Sequence, residues 1–458
     1  MSQKNIHSIF QKQRDFFDAG RTRDLEFRLR ALDALKKAVL EHEGSILDAA
    51  LRDMGKPSFE AFASEIFLVL EEINYAKKNL RTWAQPKKVQ TSILALFSKS
   101  EIHAEPLGQI LVIAPWNYPF QLSLTPLVSA IAAGNCVIVK PSEISENSSR
   151  VIHKLISEAF EPEFVTCVEG GVSETQELLK EHFNHIFFTG STGVGKKIYE
   201  AAAKTLSPVT LELGGKSPCI VDKNTDLRIA AKRIVWGKFF NVGQTCVAPD
   251  YLVVHKSIKD KFVSACIHQI EEFFGKNPQE SPEYGRIINK THFDRLKNLT
   301  KDCKIIYGGK FDEEDRYISP TLVEGANPEA PIMQQEIFGP LLPILTFETF
   351  QDLMITIRNQ PDPLSLYVFT SDSEFEKKVL SLIPFGGGCV NDTLMHLNST
   401  QLPFGGRGTS GIGAYHGRTG FGLFSHQKGI LKAPRRFDLP IRYAPYKEWK
   451  TKLLRMLT

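Results

Sequence analysis

Short apolar runs alternating with amphipathic stretches of helical period constrain this chain more than any other feature. Ile110 to Ile113, Cys136 to Val139 and His185 to Phe188 read as strands, with helical patterns from Ser123 to Ala133 and from Ser148 to Phe160. Strands that are apolar on both faces belong in a parallel sheet covered by helices on either side. The alternation restarts after Glu212, with a strand over Ser217–Val221, a helix over Leu227–Phe240, a strand over Tyr251–His255 and a helix from Ile258 to Phe274. Upstream, Leu25, Leu29, Leu32 and Leu35 recur at helical spacing, which predicts one long helix over residues 21–53. Gly55-Lys56-Pro57 breaks it, and a second helix is expected from Phe62 to Leu80, ending near Trp83 and Pro86. Two α/β domains follow, with a ligand site near their junction, where pockets prefer to form.

The 458 residues suffice for two or three cores, and 42% hydrophobic with 24% charged residues is the balance of an ordinary globular protein. Seven cysteines, at 136, 167, 219, 246, 266, 303 and 389, are odd in number and lack metal-ligand spacing. Neither a disulfide framework nor a metal site is expected, and a reducing compartment follows, the cytoplasm being the simplest. The first residues lack the apolar core of a signal peptide, and no run of about eighteen apolar residues is present to span a membrane. A net charge of +4 is too small to suggest nucleic-acid binding. The charge is uneven: Gln427 to Thr458 carries nine Lys and Arg against two acids, with Trp449, Leu453, Leu454, Met456 and Leu457 set among them. Two readings are open for this tail, a weakly membrane-associated surface helix or a helix packed on a neighbouring subunit or domain. Its length of barely three turns favours packing.

Cys246 sits in Gly243-Gln244-Thr245-Cys246-Val247-Ala248-Pro249, directly after Phe239-Phe240. A free cysteine is most often a buried, inert thiol. Here Gly, Gln and Thr flank it, which suits a chain bend with exposed backbone amides. Upstream, Thr210-Leu211-Glu212-Leu213-Gly214-Gly215-Lys216-Ser217-Pro218 sets one acid between two leucines, out of place for a plain surface carboxylate. A thiol and a partly desolvated carboxylate together make a site for covalent catalysis. In Pro115-Trp116-Asn117-Tyr118-Pro119 an amide side chain stands among prolines and aromatics, as a turn residue or as a preset hydrogen-bond donor.

Three readings compete for Phe188-Thr189-Gly190-Ser191-Thr192-Gly193-Val194-Gly195-Lys196-Lys197, which follows an apolar strand and opens a helix expected over Lys196 to Lys204. A nucleotide-triphosphatase loop would need Ser or Thr where Lys197 stands, and the order Gly-x-x-Gly-x-Gly misses the common dinucleotide fingerprint. A tight strand-to-helix turn without ligand is the third. A literal Gly-x-Gly-x-x-Gly at Gly406, Gly408 and Gly411 follows Pro403-Phe404 and no strand, so it is not read as a nucleotide site.

The Cys246 and Glu212 stretches resemble the nucleophile and base motifs of the aldehyde dehydrogenase superfamily, and in detail its class 3 branch. The likeness runs through separated motifs from Gly20-Arg21-Thr22-Arg23 to Tyr415-His416-Gly417, nearly the whole chain. It implies a Rossmann-like NAD(P)-binding domain from residues 1–84 and 107–212 and an α/β catalytic domain over 213–394. A small β extension from 85–106 and 395–458, tail included, would bridge the subunits of a homodimer. The polar run Ser98 to Glu105 is compatible with an edge strand of that extension.

The resemblance also assigns residues. Cys246 would be the nucleophile and Glu212 the base that hydrolyses its thioester, while Asn117 and the Cys246 backbone N–H would form the oxyanion hole. Gly190, Ser191 and Gly195 would form the turn that meets the cofactor pyrophosphate, and Trp116 and Leu213 would be further cofactor contacts. Lys140 and Glu143, in Val139-Lys140-Pro141-Ser142-Glu143, would hold the adenosine ribose, and Glu336 with Phe338 the nicotinamide end. A carboxylate at 143 repels a 2′-phosphate and argues for NAD, yet class 3 relatives with this glutamate accept NADP too, so both cofactors stay open. Glu212 argues against an acylating relative that passes its thioester to coenzyme A. Intact Cys246, Glu212 and Asn117 argue against a non-enzymatic protein that merely keeps the fold. Tyr118, Phe120, Phe239 and Phe240 point to medium-chain aliphatic or aromatic aldehydes, and Met395 and Leu397 lie on a segment that lines the substrate entry in relatives.

Overall fold

The computed structural model describes residues 3–325, 327, 329–436 and 438–456, so Leu457 of the tail lies outside them. Two sheets organise the chain. The first has six strands in the order Gly411–Ile412, Val209–Glu212, His185–Thr189, Gln109–Ile113, Cys136–Lys140 and Val165–Cys167. Every pair in it is parallel except the outermost, where Gly411 lies antiparallel opposite Glu212. All residues of Gln109–Ile113 and Cys136–Lys140 are buried, as runs apolar on both faces require. The second sheet runs Lys304–Tyr307, Thr321–Glu324, Leu341–Phe347, Tyr251–His255, Pro218–Val221, Ser365–Phe369 and Gly387–Val390, parallel apart from its first edge strand.

A third sheet joins Lys87–Val89, Lys99–Pro106 and Ser425–Lys432, all antiparallel, with Ser425 opposite Pro106 and Lys432 opposite Lys99. It is built from the two separated segments that the family resemblance implied. The tail carries a helix, Glu448–Met456, with Trp449 and Met456 exposed. Among the described residues no helix is long and apolar enough to cross a membrane.

Helix boundaries differ from expectation in three places. The long helix over 21–53 is two helices, Leu25–Glu41 and Glu43–Met54, preceded by a short turn of 3-10 helix. Asp24 caps the first by accepting from the backbone N–H of Glu26 and Phe27. His42 (φ −98°, ψ 8°) bends the chain so that both helices pack on Glu146–Ala159. The second predicted helix runs from Ser58 to Trp83, but with a π-helical stretch over Phe62–Phe67, which a pattern of period 3.6 cannot reveal. The helix after Ser191 starts at Thr192, not Lys196, so Gly193 and Gly195 lie inside its first turns.

His185, on a central strand of the first sheet, is buried between Thr210, 2.9 Å from its Nε2, and the Phe424 ring. Burial lowers its pKa to about 4. The unfolded chain takes up a proton near pH 6.5 that the folded chain refuses, so stability is present above that value and lost as pH falls toward 4. His185 alone is expected to cost about 2 kcal/mol between pH 7 and pH 5. Urea denaturation of wild type and His185→Gln at both pH values checks this: the variant loses that much less on acidification.

Candidate active site

The carboxyl ends of the first sheet's strands open on a cavity of about 400 Å³. In open α/β sheets that is the end where ligands bind. Nine of the residues singled out from sequence line it: Trp116, Asn117, Gly190, Ser191, Glu212, Leu213, Cys246, Glu336 and Phe338.

Cys246 is half-buried at the end of an unusual turn. Asn241, Val242 and Gly243 are consecutively left-handed, with φ of 51°, 55° and 71°. A Cβ at Gly243 would stand 2.4 Å from the Gly339 carbonyl oxygen, so the close approach requires glycine. The bend expected around Cys246 is present, but its amides are not exposed: Gly243, Gln244 and Thr245 are buried. The Gln244 side chain ties this turn to the segment Arg286–Ile288. It donates to the carbonyls of Asn241 (3.2 Å) and Arg286 (3.0 Å) and accepts from Ile288 N (3.0 Å). Next to it the Tyr118 hydroxyl meets Thr245 Oγ1 at 2.6 Å, and Tyr367 donates to the Val247 carbonyl at 2.6 Å. The nucleophile candidate therefore rests on a rigid, internally satisfied turn. Burial pushes its thiol pKa up, and Glu336 and then Glu212 push it further.

Glu212 closes the strand Val209–Glu212, is 2% exposed, and has no hydrogen-bond partner on either carboxyl oxygen. Desolvation alone holds its pKa well above the carboxylate range. Its neighbour Leu213 donates its backbone N–H to Ser410 O, so the strand Gly411–Ile412 fixes the backbone at the base candidate. Asn117 is 2% exposed and spends one amide N–H on the Gln244 carbonyl at 3.0 Å. An amide nitrogen has two such hydrogens, so one remains for a ligand.

Glu336 is raised to about 8, by burial first and then by Asp250. Its segment is clamped from below. Lys216 pairs with Asp250 and donates to the carbonyls of Ile332 (2.9 Å) and Gln335 (3.0 Å), while Asp250 accepts from Ile337 N (2.9 Å). Arg295 donates to the carbonyls of Glu336 and Ile337. Phe338 packs edge-on against Trp116, centroids 5.3 Å apart, and Trp116 lies 4.9 Å from the His292 ring.

A dinucleotide fits these residues. The helix Thr192–Ala203 presents its N-terminus at the cavity, with Ser191 as its cap, and such termini favour phosphate. A Cβ at Gly214 would fall 1.8 Å from the Glu336 carboxylate, so a larger residue there would displace that side chain. Thr189 Oγ1 and Glu336 Oε1 are buried there without partners, as polar atoms awaiting a ligand would be.

Three predicted residues do not line the cavity. Gly195 lies beneath it, where a Cβ would stand 2.6 Å from the Leu213 side chain, so glycine there serves helix–strand packing. Lys140 ends the strand Cys136–Lys140, two strands from Thr189 and so about 10 Å away, and Glu143 follows in the turn after it. Lys140 is buried and donates to Pro141 O (2.8 Å) and Glu143 Oε2 (3.3 Å). Of the aromatics taken to favour apolar substrates, Phe120 and Phe239 are fully packed in the core, and neither Tyr118 nor Phe240 lines this cavity. Met395 is exposed and Leu397 partly buried on the short turn Met395–Asn398. His292 and Arg295 are lining residues that sequence reading missed. Both sit on the helix Lys290–Leu299, whose polar face gives no cue of a ligand.

Residues 1–430 match the Aldehyde dehydrogenase family. The chain belongs to that family. It is an NAD(P)-dependent aldehyde dehydrogenase, and its relatives lie in the family 3 branch. The 4,4'-diaponeurosporen-aldehyde dehydrogenase of Staphylococcus aureus is 46% identical over 96% of this chain and 97% of its own length. The dimeric NADP-preferring aldehyde dehydrogenase of Canis lupus familiaris is 43% identical over 96% and 98%. The solved substrate-bound state of Staphylococcus aureus AldH superposes with a TM-score of 0.96 at 46% identity, covering 99% of both chains.

In this dehydrogenase, without ligand, Glu336 is a carboxyl whose folded pKa lies far above its unfolded one. Such a group favours folding below about pH 4.5 and opposes it increasingly up to its folded value. Glu336→Gln is therefore expected to melt higher than wild type at pH 8 and equally near pH 4. Differential scanning calorimetry of the cofactor-free protein measures that difference.

Proposed function

We propose that Cys246 is the nucleophile, Glu212 the base and Asn117, with the Cys246 backbone N–H, the oxyanion donor. The observation that carries this reading is their meeting in one cavity, with both Glu212 oxygens free of protein partners. The raised thiol is protonated at neutral pH, so attack of Sγ on the aldehyde carbon needs a proton acceptor. Glu212, made more basic by desolvation, or solvent can serve. The adduct places an alkoxide at the second N–H of Asn117, and donors of this kind contribute about 10²–10³ in rate. When bound, the oxidised nicotinamide supplies the hydride acceptor. Collapse of the alkoxide then restores a carbonyl and leaves the acyl group on Sγ as a thioester. Glu212 next takes a proton from water, whose oxygen displaces Sγ and releases the carboxylic acid.

For the cofactor, we assign the pyrophosphate to Gly190 and Ser191 with Gly195 beneath, and the adenosine ribose to Lys140 and Glu143. Trp116, Leu213, Glu336 and Phe338 would surround the nicotinamide end. On this reading residues 1–84 and 107–212 are the cofactor domain, 213–394 the catalytic domain, and 85–106 with 395–458 the bridging segment and tail. We read the enzyme as a cytoplasmic homodimer. Ile93, Leu94, Leu96 and Phe97, exposed on the loop of the small sheet, suit a subunit contact, and one relative is named dimeric. Leu122, in the cavity wall and outside the set assigned to the cofactor, suits an apolar aldehyde, aliphatic or aromatic. A relative named for 4,4'-diaponeurosporen-aldehyde agrees with that class.

The two halves of the reaction separate by mutation. Cys246→Ala is expected to yield no NADH, because no adduct forms. Glu212→Gln is expected to release about one NADH per site and stall, since deacylation lacks its base. Rapid mixing reads the burst, and intact-mass spectrometry reads the acyl group on the Cys246 peptide. Normal steady turnover by Glu212→Gln refutes the base assignment.

Cofactor choice tests the ribose assignment. Glu143→Gln is expected to raise the NADP-to-NAD ratio of kcat/KM at least about fivefold, the equivalent of ~1 kcal/mol between like charges about 4 Å apart in water. An unchanged ratio means that the carboxylate does not face the ribose.

A further inference from the structure

Beyond the cavity lining lies a buried ion pair that takes no direct part in the reaction. Lys56 Nζ stands 2.6 Å from Glu65 Oε1, and both side chains are wholly buried. The same ammonium donates to the Asn117 carbonyl at 3.1 Å and sits 4.3 Å from the Tyr118 ring centroid. The other carboxyl oxygen, Glu65 Oε2, accepts from Phe120 N (3.0 Å) and Gln121 N (3.1 Å), in the first turn of the helix Pro119–Ala133. The pair therefore grips the chain at the Asn117 carbonyl and in the helical turn that follows it. It also reaches the nucleophile's turn. Asn241 Nδ2 is a second donor to the Asn117 carbonyl (3.0 Å) and meets the Gln244 carbonyl at 3.2 Å, the acceptor that the Asn117 amide itself uses. The Asn241 backbone N–H is held in turn by Glu60 at 2.7 Å. Glu65 lies in the π-helical stretch Phe62–Phe67, the one place where this helix departs from regular winding. Such single-turn π segments recur at functional sites.

A fully buried ion pair is a poor source of stability, because apolar residues of equal volume often do as well or better. Its use is directional. We propose that Lys56 and Glu65 are positioning residues for acyl transfer. They hold the Asn117 backbone so that its amide keeps one N–H on Gln244 and presents the other to the oxygen of the Cys246 adduct. The proposal rests on the reading of Asn117 as oxyanion donor.

The test is a double-mutant cycle read by the NADH burst with hexanal. Lys56→Met/Glu65→Gln removes both charges and leaves an amide oxygen to accept the helix N–H groups. The burst rate is expected to fall about 10²-fold, the cost of a misplaced catalytic group, with NADH affinity by fluorescence titration and aldehyde KM unchanged. Adding Asn117→Ala to this variant is expected to cost under about threefold more, since groups that act as a unit are not additive. A wild-type burst rate in the pair variant overturns the proposal, as do losses that multiply. If Asn117→Ala by itself leaves the burst intact, the oxyanion reading fails, and that result is distinct from a slow Asn117→Ala beside a fast pair variant. If the pair variant does not fold, Asn241→Gly decides. It removes the second donor to the same carbonyl at a left-handed position that glycine tolerates, with the ion pair intact. A loss of about tenfold that disappears in the Asn117→Ala background supports the proposal. No loss, or a loss that persists there, overturns it.

Discussion

One thiol and two carboxyl groups share a desolvated cavity, and the rest of the site is arranged around that fact. Cys246, Glu212 and Glu336 all have their pKa raised, mainly by burial, and the thiol is raised further by both acids. A buried polar atom without a partner costs about 1–3 kcal/mol, and both oxygens of Glu212 and one of Glu336 are in that position. A fold tolerates such a deficit where ligands later supply the partners. An aldehyde, a water and NAD(P) are the molecules that an aldehyde dehydrogenase must bring together.

Holding groups in an unfavourable state demands a frame that cannot relax, and here the frame is polar. Left-handed residues other than glycine cost on the order of 1–3 kcal/mol each where the surroundings over-determine them, and Asn241 and Val242 adopt that conformation in succession. Gln244 satisfies the backbone on one side of the turn, while Asn241 ties it to Asn117 on the other. The Lys216–Asp250 pair does the same for the Glu336 segment, where it meets three backbone groups. In each case a buried polar side chain fixes main chain, and the main chain then aims the reactive group.

The sequence displayed some of this and hid the rest for physical reasons. Strands such as Gln109–Ile113, Cys136–Lys140 and Tyr251–His255 fall within a residue of their predicted bounds, because burial on both faces leaves an uninterrupted apolar run. Glu212 and Asn117 stand out as polar groups in apolar company, and Cys246 as a thiol flanked by Gly, Gln and Thr where a core cysteine would have aliphatic neighbours. Helix ends were less legible: the bend at His42 and the π turn at Phe62–Phe67 are set by packing against distant helices, which no local period records. His292 and Arg295 stayed hidden for the opposite reason, since a polar residue on a polar helix face looks the same whether it meets solvent or a cavity. Phe120 and Phe239 misled by proximity. They adjoin site residues in sequence, but each packs in the core.

The arrangement also couples the far end of the chain to the chemistry. Gly411 and Ile412 pair with Glu212 and Leu211, so the strand that ends at Glu212 is completed by residues about two hundred positions later. From there the chain makes one bridge, Phe404 with Tyr415, and donates Gly417 N to the buried Glu72 at 2.7 Å. It then enters the strand Ser425–Lys432 of the small sheet. Fewer than about fifteen residues thus separate the strand Gly411–Ile412, paired with Glu212, from a sheet whose loop exposes Ile93, Leu94, Leu96 and Phe97. One stretch of chain thus both completes the strand that ends at Glu212 and supplies a strand of the small sheet.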